Sequence, residues 1–248
     1  NPGENILLPE PYFHLYGPYA TIVGGEAKYY PCLFDHEFIP QVSDLEALVD
    51  DKTVAILYNF PSNPTGGTLD EQQRDDLLAF ASKHDLWIIS DEVYDRIVFE
   101  EEHVSFMGTG YDKLMVVNSF SKTFAMTGWR IGYIVSTNLE AMQQVVKIQY
   151  YISACSNAAM QYAVLEAMEQ ANDYPSQMAV EFQKRCNLIV DRLNACQGFN
   201  VTVPKAPSPL SAAARGSFST TTKTCTNMAQ TNSRSPRKTR MSRVIWYS

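Results

Sequence analysis

The sequence is poor in the features that mark disulfide-bonded, metal-binding or membrane-spanning chains. Five cysteines (Cys32, Cys155, Cys186, Cys196 and Cys225) are scattered through 248 residues without a C-x-x-C pair. That pattern argues against a disulfide frame and fits reduced thiols, so a cytoplasmic protein is expected. The four histidines, His14, His36, His84 and His103, show no ligand spacing, and no metal site is expected. The phosphate-cradling pattern G-x-x-x-x-G-K is missing. The longest apolar runs hold about five or six residues, far below the ~20 that span a bilayer. No basic stretch followed by an apolar one opens the chain, so no secretory signal is expected.

Base is short as well, and unevenly so. Seven of the 20 Lys and Arg fall in residues 206–248, which hold no Asp or Glu. Residues 1–205 therefore carry 13 bases against all 27 acids, a net charge of −14 within an overall −7. An acidic body argues against nucleic-acid binding. What remains is an ordinary globular balance, 45% hydrophobic and 19% charged, over a length that allows one large or two ordinary domains.

The apolar pattern alternates between strand and helix. Asn5 to Leu8 reads as a short strand cut off by Pro9. Residues 11–25 carry Tyr12, Phe13, Tyr16 and Tyr19 at helical spacing, ending at Gly24-Gly25. Residues 27–30 form a second strand, and Ser43 is expected to cap a short helix through Val49. Thr53-Val54-Ala55-Ile56-Leu57-Tyr58 is a buried strand running into the turn Pro61-Ser62-Asn63-Pro64-Thr65-Gly66-Gly67. Thr68 and Glu71 have capping-box spacing and open a helix that closes near His84. Leu86-Trp87-Ile88-Ile89-Ser90 is the next strand, and residues 114–119 and 130–135 add two more. Strand, helix and strand with short links predict an α/β fold, a mostly parallel sheet flanked by helices. From Asn138 long helical patterns fill 138–152, 157–170 and 175–196, then a strand is expected at 199–203. The predicted domains are thus residues 1–137, residues 138–205 as a connecting helix and partial smaller domain, and a disordered basic tail over 206–248. That tail holds eight Ser and seven Thr and too little apolar surface to offset the entropy of ordering it.

Polar residues gather where strands end. Asn63 follows one strand, Asp91 another, and Ser119 with Lys122 a third; in open α/β sheets ligands bind beyond these carboxyl ends. Residues 118–133, NSFSKTFAMTGWRIGY, place Lys122 and Arg130 in a short turn between two apolar strands. Two cations there call for an anionic partner, and a phosphorylated cofactor is the reading advanced here. Asp91 at the edge of an apolar strand calls for a cation, because an unpaired buried carboxylate is costly. Ser119-Phe120-Ser121-Lys122 also matches the S-x-x-K of penicillin-binding enzymes, but no K-T-G follows and Ser90-Asp91-Glu92 lies upstream with the wrong third residue.

Five segments together carry a resemblance: Pro11-Tyr12-Phe13, Asn63-Pro64-Thr65-Gly66, Ser90-Asp91-Glu92-Val93-Tyr94, Ser119-Phe120-Ser121-Lys122 and Gly128-Trp129-Arg130-Ile131-Gly132. In order and spacing the chain, over residues 1–205, resembles the class I/II, fold-type I pyridoxal-phosphate-dependent aminotransferases of the aspartate/aromatic group. The resemblance implies a large cofactor-binding domain with part of a smaller α/β domain, pyridoxal 5'-phosphate as cofactor, and a homodimer. The implied reaction is transfer of an amino group between an L-amino acid and a 2-oxo acid such as 2-oxoglutarate. It implies that Lys122 bonds the cofactor aldehyde and shuttles a proton, that Asp91 pairs with the ring nitrogen, and that Asn63 and Tyr94 bond the ring oxygen. Phe13 is implied to stack on the ring, and Phe13 and Asn63 to meet the substrate. Arg130 and Ser119, with Ser121 beside them, are implied to bind the phosphate. C-S lyases share these motifs, although Thr68-Leu69 after Gly66-Gly67 favours transamination.

Departures from that pattern set a second expectation, a truncated and catalytically impaired relic. The chain starts inside the family's large domain, without the preceding phosphate-cupping helix start or the segment that reaches the partner's site. No counterpart of the family's carboxylate-clamping arginine follows Lys205. Where the family continues Pro-Lys-Gly-Ala-Phe, this chain reads Pro204-Lys205-Ala206-Pro207-Ser208. Deleting one A from AAA GGC GCC TTC T yields AAG GCG CCT TCT, which encodes Lys-Ala-Pro-Ser, so a frameshift at Lys205 is expected.

Overall fold

The computed structural model describes residues 2–99, 102–196, 201 and 203–207. Its centre is a six-stranded sheet. In chain order the strands are β1 (Asn5–Glu10), β2 (Glu26–Pro31), β3 (Thr53–Asn59), β4 (Trp87–Asp91), β5 (Leu114–Ser119) and β6 (Gly132–Val135), and in space β2-β1-β3-β4-β5-β6. The first five run parallel and β6 pairs antiparallel to β5. The helices are α1 (Tyr16–Ile22), α2 (Val42–Leu48), α3 (Glu71–Lys83), α4 (Phe120–Thr123), α5 (Leu139–Ser153), α6 (Ala158–Gln170) and α7 (Tyr174–Asn194). Among the described residues no helix is long and apolar enough to cross a membrane.

Alternation along the strands sorts side chains onto two faces. Leu7, Ile56, Tyr58 and Ile88 join Leu45 of α2 and Leu77, Phe80 and Ala81 of α3 in the main core. Leu8 and Leu57 meet Tyr16 of α1 on the other face, with Ile6, Phe13 and Ile89 packed around them. Asp91 follows Ile89 by two residues and shares the α1 face. Glu92 belongs to the opposite one.

Several local expectations shift for identifiable reasons. β1 continues through Pro9 to Glu10, with Pro9 opposite Tyr30. The Glu10 carbonyl accepts from the Cys32 N–H on the β2 side, so alternation turns the Pro9 nitrogen toward β3, whose ladder with β1 has already ended at Leu7. α1 starts only at Tyr16, which leaves Tyr12 and Phe13 in the turn before it. Gln41, not Ser43, precedes α2. The cap of α3 is Asp70: its Oδ1 accepts from the Gln73 N–H at 2.7 Å, and Gln73 Oε1 accepts from the Asp70 N–H at 2.9 Å. Thr68, expected at that cap, is buried with its hydroxyl oxygen unpartnered.

Residues 203–207 lie as a strap across the turn after β3. Lys205 and Ala206 N–H both donate to the Gly66 carbonyl, at 3.1 and 3.2 Å, and Ala206 is fully buried. Gly66 has φ +72, and a Cβ there would meet Pro204 Cβ at 2.5 Å and the Ala206 carbonyl oxygen at 2.7 Å. Of the strand expected at 199–203, Val201 and Val203 are in irregular backbone and the other positions lie outside the described residues. Residues 208–248, the greater part of the expected disordered tail, also lie outside them.

Candidate active site

The carboxyl ends of β3, β4 and β5 open into a cavity of about 580 Å³. All eight residues singled out from the sequence line it: Phe13, Asn63, Asp91, Tyr94, Ser119, Ser121, Lys122 and Arg130. They come from five separate segments, so the fold and not the chain order brings them together. Short links after parallel strands leave side chains at this edge, as the topology requires.

Asp91 is the most constrained of them. Its Oδ2 accepts from the Tyr16 hydroxyl at 2.6 Å and its Oδ1 from the Val93 N–H at 3.3 Å. Loss of water pushes its carboxyl above the ordinary value, against the pull of those two hydrogen bonds and of Lys122. The same burial, with the Asp91 charge beside it, pushes the Tyr16 phenol far up, so Tyr16 stays a donor. Tyr94 is buried and pushed up to about 12 by burial and then by Asp91. Lys122 Nζ stands 5.7 Å from the centre of the Tyr94 ring. Phe13 is held edge-on by Tyr16, with ring centres 5.6 Å apart at 72°.

The loop after β5 is shaped by its own hydroxyl. Ser119 Oγ accepts from the Ser121 N–H at 3.1 Å and donates to the Ile131 carbonyl at 3.1 Å, capping α4 and tying it to the start of β6. Lys122 lies one turn on, facing the cavity. Arg130 is exposed, with φ +53 and ψ +55, and donates to the Thr127 carbonyl at 2.9 Å. Asn63 donates its backbone N–H to Asn59 Oδ1 at 2.9 Å, while Asn59 Nδ2 donates to the Asp91 carbonyl at 3.1 Å.

Two of these residues were not singled out from the sequence. Tyr16 read as one member of an aromatic stripe, and its partner Asp91 is 75 residues away. Asn59 fell between the expected strand, which ended at Tyr58, and the turn from Pro61, yet it links the backbones of Asn63 and Asp91. The available signal was position, since both sit at a strand end or directly over one.

A family model for aminotransferases of class I and II matches residues 1–212. The chain belongs to that family. It is 36% identical over 195 residues to the aspartate aminotransferase of Thermotoga maritima, covering 78% of this chain and 51% of that one. It is 34% identical to aromatic-amino-acid aminotransferase 2 of Thermococcus litoralis, covering 82% and 53% respectively. The fold superposes on the crystal structure of the aromatic aminotransferase from Pyrococcus horikoshii with a TM-score of 0.79 at 34% identity, over 84% of this chain and 56% of that one. The chain thus spans about half the length of the relatives it matches, and its fold is that of the fold-type I aminotransferases.

The cavity suits the cofactor this family uses, pyridoxal phosphate. Among the described residues no ion pair within 4.0 Å is made to Asp91, and the hydrogen bonds its carboxylate accepts come from the neutral donors Tyr16 and Val93. A protonated ring nitrogen would complete it. Lys122 supplies an amine in the same space, and Arg130 a guanidinium suited to a phosphate.

Proposed function

We propose that this chain carries the cofactor-binding part of an aminotransferase that moves an amino group between an L-amino acid and a 2-oxo acid, with 2-oxoglutarate as the acceptor. The observation that carries the reading is Asp91, short of a cation, sharing one cavity with Lys122 and Arg130. Pyridoxal phosphate, when bound, supplies an aldehyde for the amino group and a ring that withdraws electrons. The Asp91 carboxylate holds a proton at the ring nitrogen, and Tyr16 keeps that carboxylate in place. Lys122 Nζ anchors the cofactor and then moves a proton at the substrate Cα, a task suited to an amine on a flexible stem within the same cavity. Asn63 and Tyr94 direct donors at the ring oxygen, Phe13 covers the ring, and Arg130, Ser119 and Ser121 receive the phosphate. Phe13 and Asn63 also border the substrate. Residues 1–137 form the cofactor-binding unit and residues 138–205 the connecting helix and part of a smaller one. The assembly is a homodimer working in the cytoplasm.

A second reading is a relic that binds cofactor without turnover, favoured by the departure from the family's pattern at Lys205-Ala206-Pro207-Ser208. Absorbance separates the two. Purified protein mixed with pyridoxal phosphate is expected to show a visible band that Lys122→Ala abolishes. Conversion of the band by an added amino acid supports transamination, and a band without conversion supports the relic. No band at all sinks both.

A further inference from the structure

We propose that Glu92, with His103 as its partner, fixes the direction of the Asp91 carboxylate and is a positioning residue for the cofactor nitrogen, an inference resting on the cofactor reading above. Glu92 is 3% exposed and touches no part of the cavity. Its Oε1 accepts from the Ser90 hydroxyl at 2.8 Å and the Phe106 N–H at 3.2 Å. Its Oε2 accepts from the Ser105 hydroxyl at 2.6 Å and lies 2.8 Å from His103 Nε2. Burial alone would raise this carboxyl, yet the hydrogen bonds from His103, Ser105 and Ser90 hold it below its ordinary value. A buried, ionised side chain with four donors is an expensive way to fill space, since an apolar residue packs as well without the desolvation cost.

The mechanical setting shows what those donors achieve. β4 stops at Asp91, where its ladders with β3 and β5 also stop, at Asn59 and Val117. A strand end is where local opening is easiest. Because neighbouring side chains point to opposite faces, Asp91 points at α1 and Glu92 at the main core. Any roll of the strand end that swung Asp91 away from Tyr16 would pull Glu92 off the three donors of residues 103–106 on the far side. Those donors are themselves seated: Phe106 is 1% exposed and stacks on Tyr58 of β3, with ring centres 5.2 Å apart at 8°. The same anchor serves Tyr94, because the turn that carries it begins with the Asp95 N–H donating to the Glu92 carbonyl at 3.0 Å.

The test is a double-mutant cycle read by pyridoxal phosphate titration of the full chain. Glu92→Ala is expected to weaken cofactor binding by about tenfold or more in the native chain, and by less than about twofold when Asp91→Asn is already present. Glu92→Gln keeps the shape and an acceptor oxygen and should recover most of the loss. His103→Gln should repeat the non-additive pattern to a smaller extent, and it serves if Glu92→Ala does not fold. Hydrogen exchange in the cofactor-free protein gives a second readout. The Val93 amide, bonded to Asp91 Oδ1 at 3.3 Å, should exchange faster in the same variants while amides within α3 keep their rates. Equal losses of binding in both backgrounds, or an unchanged Val93 amide in a folded variant, overturn the role. Failure of the unaltered protein to take up any cofactor overturns the underlying reading instead, and the Val93 amide then decides alone whether Glu92 aims Asp91.

Discussion

Gly66 is the position where a single methyl group tests the packing of the strap. An alanine there must hold φ near +72, which costs an L-residue roughly 1–2 kcal/mol. Its Cβ must also displace Pro204 and the Ala206 carbonyl from 2.5 and 2.7 Å, an overpacking that typically costs about 1–3 kcal/mol. The backbone oxygen cannot rotate away as a side chain can, so the strap itself has to lift. Gly66→Ala is therefore expected to destabilise the full chain by about 2–5 kcal/mol, measured by urea unfolding. In a chain ending at residue 202 the second contribution is gone, and the loss should fall to roughly 1–2 kcal/mol. The same loss in both lengths, or less than about 1 kcal/mol in the full chain, would show that residues 203–207 do not bear on the turn.

Three further expectations concern charges and caps. Because Asp91 holds its proton more tightly when folded than unfolded, it costs stability as pH rises from the ordinary carboxylate value, ~3.9, through the folded one. Asp91→Asn should thus flatten the pH dependence and make the cofactor-free chain more stable at pH 7, while weakening cofactor uptake to a level that titration still measures; an unchanged slope would refute this. Tyr16→Phe removes a hydrogen bond that pulls the Asp91 carboxyl down, so the loss of stability should extend to higher pH and cofactor binding should weaken about tenfold. At the start of α3, Asp70→Ala should cost about 1 kcal/mol in unfolding experiments. Thr68→Val, which removes a buried oxygen with no partner, should be neutral or stabilising.

Much of this was legible in the sequence because it is local. The apolar runs at 54–58, 86–89 and 114–117 announce β3, β4 and β5, and the polar residues Asn63, Asp91 and Ser119 beyond them mark the ligand edge. The long helices α5 to α7 also declare themselves by period. What was not legible is what depends on register between distant segments. Tyr16 means little until α1 is laid over β4, and Asn59 means little until its neighbour strand is known to end at Asp91. Glu92 reads as an ordinary charge beside Asp91, and only the return of residues 103–106 shows that it is enclosed. The cap of α3 was misplaced by two residues because Thr68 and Asp70 offer competing cap patterns. Burial of Thr68 by the turn decided between them.

Arg130 stands in a left-handed backbone that glycine or asparagine would occupy with less strain. A library selected for thermal survival alone should therefore drift toward those residues at this position, and its winners should be better folded and poorer at retaining an anion. Comparing survivors of such a selection with survivors of one run in the presence of pyridoxal phosphate would turn one backbone angle into a record of what the guanidinium is there to do.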